Sequence, residues 1–359
     1  MDWRYISPGL SCIEGTMKRL DERDIMFARM SYEEGSKRYE DYYSRNPDKK
    51  ETDDELRSRT GLFSKDTPYY DKYLAPASEA NFDLLSNIRH LAEETRGVEK
   101  TEVNSAEVSS LLKKLAVHYG ALDSGIAIAD ESFFYTHRGR LEDSYGDRVD
   151  TSLKNAFVFT IEMDEEAINT APAADAALET SNAYVKGAVI GLQLAGFIRR
   201  LGYSARCHMD GNYLLYAPPL AVEAGLGEMG RNGLMISRAK GCFCRIGIVT
   251  TDMPLVPDEK TSLDIERFCK LCRQCIRTCP GRTVSSSDDP GDWHVEQEKC
   301  YGVWRNLGTD CGICICACPI GQDLPADKIK EMSDLQIEEY VEEYRRRYGT
   351  RKRNLKFFL

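Results

Sequence analysis

Thiol side chains at short, regular intervals hold metal, and one stretch of this chain is dense with them: Cys269-Lys-Leu-Cys272-Arg-Gln-Cys275-Ile-Arg-Thr-Cys279-Pro280. That is C-x2-C-x2-C-x3-C-P, the spacing in which three thiolates wrap one face of a [4Fe-4S] cube and the fourth crosses to a second cluster. The two-residue loops turn backbone N–H groups toward the sulfides, and the proline fixes the chain as it leaves. A crossing thiol needs a second ligand set. Cys300 and, after a ten-residue gap, Cys311-Gly-Ile-Cys314-Ile-Cys316-Ala-Cys318-Pro319 provide one. The expected sets are Cys269, Cys272, Cys275 and Cys318 for one cluster, and Cys279, Cys300, Cys311 and Cys314 for the other. Cys316 interrupts the C-x3-C interval and competes with Cys318, although the following Pro319 favours Cys318. Zinc ribbons, the other sulfur-rich possibility, show paired C-x2-C with longer gaps and no C-P ending.

Nine of the thirteen cysteines lie within the 50-residue window 269–318, and the chain has 359 residues. Disulfide frameworks belong to short secreted chains without a core, so this pattern excludes one. Length and a content of 42% hydrophobic and 30% charged residues fit an ordinary globular protein of about two domains. The opening Met1-Asp2-Trp3-Arg4 has no basic stretch leading into an apolar segment, and the expectation is a cytoplasmic protein. The longest central apolar run, 187–198, has 12 residues and is too short to span a bilayer. A net charge of -10 disfavours a broad phosphate-binding surface, and the Arg345-Arg346-Arg347 tail reads as a solvated helix end. Nucleic acid is not an expected partner. Of the remaining thiols, Cys12, Cys207, Cys242 and Cys244, buried and inert is the default. Cys242-Phe-Cys244 stands beside Gly241 at the head of a strand, which makes Cys244 a candidate for a cofactor wall.

The rest of the chain must position a reaction for these clusters to feed. Residues 17–30 suit one partly buried helix, and Pro47, Pro68 and Pro76 interrupt the chain beyond it, so 1–105 reads as an arm or cap without its own core. From residue 106 the pattern is regular. Helices are expected over 106–119 and 174–201, the second ending at Gly202, with short strands at 125–129, 155–161, 204–209 and 245–250. Helix and strand alternate, so 106–258 is an α+β domain with a central sheet. The cysteine domain occupies 259–325, and 326–359 is a C-terminal tail whose helix, 334–348, docks back.

The other special block is Ala224-Gly225-Leu226-Gly227-Glu228-Met229-Gly230-Arg231-Asn232-Gly233-Leu234-Met235-Ile236. Four glycines in nine residues let backbone approach a flat or anionic ligand closely. It lacks G-K-S/T, and Pro218-Pro219 stands where a dinucleotide fold needs a strand. Candidate cofactor contacts are therefore Gly225, Leu226, Gly227, Glu228, Gly230, Arg231 and Asn232, with Cys244.

Taken together, the paired cysteine motifs, AGLGEMGRNGLMI, TDMPL at 251–255 and the early ERDIMFARMSYEEGSKRYEDYYSRNP resemble the corrinoid-dependent reductive dehalogenases over essentially the whole chain. The resemblance implies a nitroreductase-like domain that binds base-off cobalamin, followed by a ferredoxin-like domain whose two [4Fe-4S] clusters deliver electrons to it. The absence of D-x-H-x-x-G, with Asp292-Trp-His294 the nearest string, agrees with that family. It also implies an organohalide substrate and a tyrosine general acid with a basic neighbour. Tyr184 is the candidate acid, Arg231 its partner, Asn212 an orienting group and Tyr213 the alternative acid. Respiratory members are longer and carry an export signal. This chain shows neither, which implies a soluble low-potential donor such as a ferredoxin, flavodoxin or reductase.

Two other functions compete. Epoxyqueuosine reductases share corrinoid and paired clusters, but they resemble Gly-Trp-x-Gly-Lys where this chain has Gly-Glu-Met-Gly-Arg-Asn. A non-catalytic electron-transfer or corrinoid-handling protein would carry clusters alone. The cluster reading itself has a direct check: anaerobically purified protein is expected to contain about eight irons and eight sulfides. Zinc without a visible charge-transfer band would overturn it.

Overall fold

The computed structural model describes residues 12–13, 16–17, 19–93, 99–354 and 356–358. At its centre is an antiparallel sheet of four strands, β1 (Asp123–Ile128), β2 (Asn155–Glu162), β3 (Ala205–His208) and β6 (Cys244–Thr251), in the order β1-β2-β6-β3. Two shorter strands, β4 (Gly227–Met229) and β5 (Met235–Ser237), form a separate hairpin from the glycine block. In β2 six consecutive residues are buried, because both faces of the sheet are covered. Phe157, Phe159 and Ile161 enter one core, and Ala156 and Val158 enter the other. Each large apolar side chain among them contributes roughly 1.5–3 kcal/mol through burial.

The first core is capped by the 27-residue helix Ala174–Arg200, called α5 after four earlier helices: α1 (Lys37–Arg45), α2 (Pro47–Ser58), α3 (Leu74–Ile88) and α4 (Ser105–His118). Small residues let α5 lie close to the strands: a Cβ on Gly191 would stand 2.6 Å from Cys207 Sγ. The second core lies under α6 (Ala217–Glu223). No described helix is long and apolar enough to cross a membrane.

The expected elements from residue 106 onward stand within two residues of their observed ends. The first hundred residues differ. The single helix expected over 17–30 is instead a 3-10 turn, Glu22–Asp24, and one α-turn, Met26–Arg29, parted at Ile25, which is extended. Local side-chain bonds win there: Asp21 accepts from Arg23 N, and the Glu22 carboxylate accepts from Gly139 N at 2.7 Å. The prolines begin helices where interruptions were expected. Pro47 is the first residue of α2 and Pro76 lies in the first turn of α3, positions whose N–H groups have no helical partner. The buried face of α1 is tyrosine: Tyr39, Tyr42 and Tyr43. The buried ion pair Arg29–Asp53 at 2.5 Å, to which Tyr43 adds a 2.7 Å bond, holds the arm together, and the arm packs on the body through Arg29 with Glu298 at 3.0 Å and through Met26 and Leu56 against Tyr301.

In the cysteine region α7 (Ile265–Cys272) is followed by the short helix Gln274–Thr278, then α8 (Gln297–Leu307) and the single turn Ile313–Cys316. Arg273, Cys311 and Gly312 have positive φ, and these left-handed residues reverse the chain between thiols. The last helix, α9 (Asp334–Tyr348), lies on α7, with Arg345 donating to Cys272 O at 2.6 Å. The tail then returns to the sheet domain, where Asp175 accepts from Phe357 N and Phe358 N.

Helix α5 ends as its Gly202 suggests. That residue has φ +88°, and a Cβ on it would stand 2.0 Å from Glu99 O. Because both the backbone angle and the neighbouring segment 99–100 resist a side chain, Gly202→Ala is expected to cost about 2–4 kcal/mol. Urea unfolding checks it; an unchanged midpoint would mean that segment 99–101 moves freely.

Candidate functional site

The eight expected ligand cysteines fall around two cavities. Cys269, Cys272, Cys275 and Cys318 line a small one between α7, the hairpin turn and residues 318–320. Cys279, Cys300, Cys311 and Cys314 line part of a much larger one of about 550 Å³. Backbone N–H groups of Arg231, Gln274 and Ile313 donate to Cys269, Cys272 and Cys311, and Thr283 N lies 3.3 Å from Cys279 Sγ. Burial pushes the Cys269 and Cys311 thiols up to about 12 and Cys272 up to about 11. Iron bound there would have to displace their protons. Among the described residues no group of three or more His, Cys, Asp or Glu stands close enough to hold a single metal ion.

The other thiols occupy different surroundings. Cys316 is wholly buried and lines neither cavity; its Sγ lies 3.4 Å from Ile313 O and 2.9 Å from Arg351 Nη1. Cys244 is buried in the second core, 3.8 Å from Gly241 O, and does not line the large cavity. Its neighbour Cys242 stands at hydrogen-bonding distance from Cys318 and accepts from Asn232 Nδ2 at 3.4 Å.

The glycine block is mainly a packing device. A Cβ on Gly225 would stand 2.3 Å from Glu259 O, and one on Gly227 2.2 Å from Ile236 O. Leu226 is core, and a Cβ on Gly230 would meet Ile236 and Asn232. Glu228 turns its carboxylate to Leu263 N and Ile265 N, both at 2.8 Å, at the start of α7. None of these five lines the large cavity. Asn232 does, with Gly233 and Leu234, and Arg231 and Asn232 both line the small one.

Tyr184, from the middle of α5, faces the large cavity together with Thr180, Asp210, Arg245 and Asp310. Arg245, at the head of β6, lies 5.3 Å from the Tyr184 ring centroid, donates to Thr180 Oγ1 at 3.4 Å and is 4.0 Å from Asp310. Burial raises the phenol above its usual value of 10, and the Arg245 charge opposes that rise. Burial likewise raises the Asp310 carboxyl, again against Arg245. Arg245 thus holds the place beside Tyr184 that sequence reasoning expected for Arg231. A single charge opening an otherwise apolar strand was the signal available for it. Asn212 is elsewhere: its Oδ1 accepts from Arg206 at 2.6 Å and its Nδ2 donates to Glu93 at 3.1 Å. Asp210, two residues earlier, lines the cavity, 3.7 Å from Arg140. Tyr213 donates to Ile246 O at 3.2 Å and does not reach the cavity.

These placements separate the two neighbouring thiols. Cys318→Ser is expected to remove about four of eight irons, whereas Cys316→Ser keeps all eight. Iron analysis of both variants checks it, and the opposite ranking would exchange the two cysteines.

No protein-family model matches the chain. It is 36% identical over 182 residues to a tetrachloroethene reductive dehalogenase of Desulfitobacterium hafniense, covering 46% of this chain and 32% of that protein. An epoxyqueuosine reductase of a Francisella strain is 28% identical over 159 residues, 39% of this chain and 41% of that one. Among solved structures, the catabolic reductive dehalogenase NpRdhA superposes with a TM-score of 0.75 at 21% identity, over 99% of this chain and 50% of that chain. The chain thus spans about a third of the length of the first curated relative and half of this solved structure. The chain is thus similar to reductive dehalogenases in fold along its length and in sequence along nearly half of it.

Proposed function

We propose that the chain is a corrinoid-dependent oxidoreductase that reductively dehalogenates an organohalide, taking electrons through two [4Fe-4S] clusters from a soluble low-potential donor. The observation that carries this reading is one shared cavity, with the partly buried Tyr184–Arg245 pair and the Cys279, Cys300, Cys311 and Cys314 thiols all on its wall. Residues 106–258 would form the nitroreductase-like cobalamin domain, 259–325 the ferredoxin-like domain, with 1–105 as a cap and 326–359 as a tail. The cavity suits a large flat cofactor. Its size is that of a ligand pocket, its wall is mainly apolar with a few convergent polar groups, and no histidine stands on it to supply a lower axial nitrogen. Gly233 and Leu234, on the hairpin turn, and Ile313 and Ile315, beside the thiols, would bear on such a ring.

The net reaction adds two electrons and one proton, replaces a carbon–halogen bond by a carbon–hydrogen bond and releases halide. When bound, the corrinoid would supply the strongly reducing metal centre. The chain supplies the proton and the surroundings. Tyr184, its phenol raised by burial, is neutral at pH 7 and holds a donatable proton. Arg245 stabilises the phenolate left behind, and Thr180 and Asp310 hold that guanidinium in place. Phe27, Phe82 and Trp304 add apolar wall that keeps water from the reacting carbon.

Protein reconstituted with iron, sulfide and cobalamin and supplied with a low-potential donor is expected to release halide from at least one aryl or alkyl halide. Failure across the series, with salt-sensitive binding of tRNA, would favour the epoxyqueuosine-type reading. Tyr184→Phe is expected to keep clusters and corrinoid and lose turnover by about 10²–10⁴-fold. Because the phenol lies above its usual value, activity should show no limb from this group in the neutral range and should fall only above about pH 10. Full activity in Tyr184→Phe would place the acid elsewhere.

A further inference from the structure

Arg231 is 1% exposed, yet it has no use at the tyrosine. Its Nη1 donates to Ser287 O at 2.7 Å and Ser285 O at 3.3 Å, and its guanidinium lies 4.1 Å from the centroid of the Trp293 ring. Its Nε and Nη2 are buried with no hydrogen-bond partner among the described residues. A buried cation with two donors unused costs several kcal/mol, and native proteins rarely leave such groups without a partner. The same side chain lines the small cavity with Cys269, Cys272, Cys275 and Cys318, and its charge is faced by Cys269 and Cys275. The adjoining backbone serves the same place: Arg231 N donates to Cys269, and Asn232 Nδ2 donates to Cys242 beside Cys318.

A [4Fe-4S] cluster on four thiolates carries a charge of about -2 when oxidised and about -3 when reduced. It would be an acceptor for both unused donors and a counter-charge for the guanidinium. We propose that Arg231 is a positioning residue for electron transfer, hydrogen-bonded through Nε and Nη2 to the cluster held by Cys269, Cys272, Cys275 and Cys318, and that it raises that cluster's reduction potential. Adding an electron places more negative charge beside a fixed cation, so Arg231 favours the reduced state. Trp293 and the carbonyls of Ser285 and Ser287 hold the fork toward the cavity and leave the cluster bearing the remaining two donors. The proposal rests on the cluster reading, which iron and sulfide analysis of the parent protein tests separately.

The test is a redox titration of both clusters, followed by electron paramagnetic resonance, in the parent protein and in Arg231→Gln and Arg231→Lys. In Arg231→Gln one cluster is expected to shift negative by at least a tenfold change in its reduced-to-oxidised ratio, about 59 mV for one electron. The other cluster should not move. Arg231→Lys, which keeps the charge but loses the fork, should fall between parent and Arg231→Gln. An unchanged or higher potential in either variant that holds eight irons overturns the proposal. If neither variant loads fully, loss of this cluster alone, with a folded sheet domain, supports contact between guanidinium and cluster. Loss of all iron overturns it.

Discussion

The carboxylate of Glu228 joins the two halves of the molecule. It lies on the hairpin built by the glycine block, is buried, and accepts two backbone N–H groups, Leu263 and Ile265, at the start of the helix that bears Cys269 and Cys272. Hydrogen bonds to an ionised group contribute about 1.5–3 kcal/mol each, and a helix N-terminus adds its own attraction for negative charge. This contact sets where the turn after Met229 meets the thiols. Backbone of Arg231, side chain of Asn232 and guanidinium of Arg231 all arrive at the small cavity from that one anchored hairpin. The glycines serve the same end, because a Cβ at Gly225 or Gly227 would strike neighbouring carbonyl oxygens and push the hairpin away.

Two arginines, Arg231 buried and Arg245 half-buried, divide the chemistry between them. Arg245 sits against Tyr184, Thr180 and Asp310 in the large cavity, where its charge opposes the effect of burial on a phenol. Arg231 sits on Trp293 in the small cavity, against thiols. The difference follows from what each side chain is offered. A carboxylate and a hydroxyl hold Arg245 without removing its field from the phenol. Two carbonyl oxygens hold Arg231 but leave its charge to a partner inside the cavity.

Much of this was legible in the sequence where the determinant is local. The long helix announced itself by small and apolar residues at helical spacing and by Gly202, whose positive φ only glycine adopts easily. Cysteine spacing sorted eight thiols into two sets, and the same sets line two different cavities. Local rules misled where a residue type has two uses. Pro47 and Pro76 looked like breaks but sit in first turns, and the apolar face of α1 is made of tyrosines, whose hydroxyls disguise it. Partners acquired only through the tertiary fold left no trace in the spacing. Arg231 and Asn232 belong to a block that promised a ligand, whereas Arg245 reaches Tyr184 because β6 runs beside α5. Asn212 and Asp210 are two residues apart on one turn, and only packing sends the aspartate to the cavity and the asparagine into the Glu93–Arg206 network.

The cysteine order has a consequence for assembly. Cys279 ends the first motif but lines the large cavity with the second, and Cys318 ends the second but lines the small cavity with the first. Each set of four therefore needs both motifs folded against each other before it is complete. Without iron, the Cys269, Cys272 and Cys311 thiols are protonated, because burial raises them well above neutral pH. The metal-free chain is therefore spared negative charge at these three thiols and can hold this shape with neutral sulfur there. Iron loading would exchange protons for metal, and the free energy of that exchange would become folding free energy for the C-terminal half. Helix α9, whose Arg345 donates to Cys272 O, and the tail, whose Arg351 contacts Cys316, bind outside the thiol rings, so they reinforce the arrangement without competing for metal.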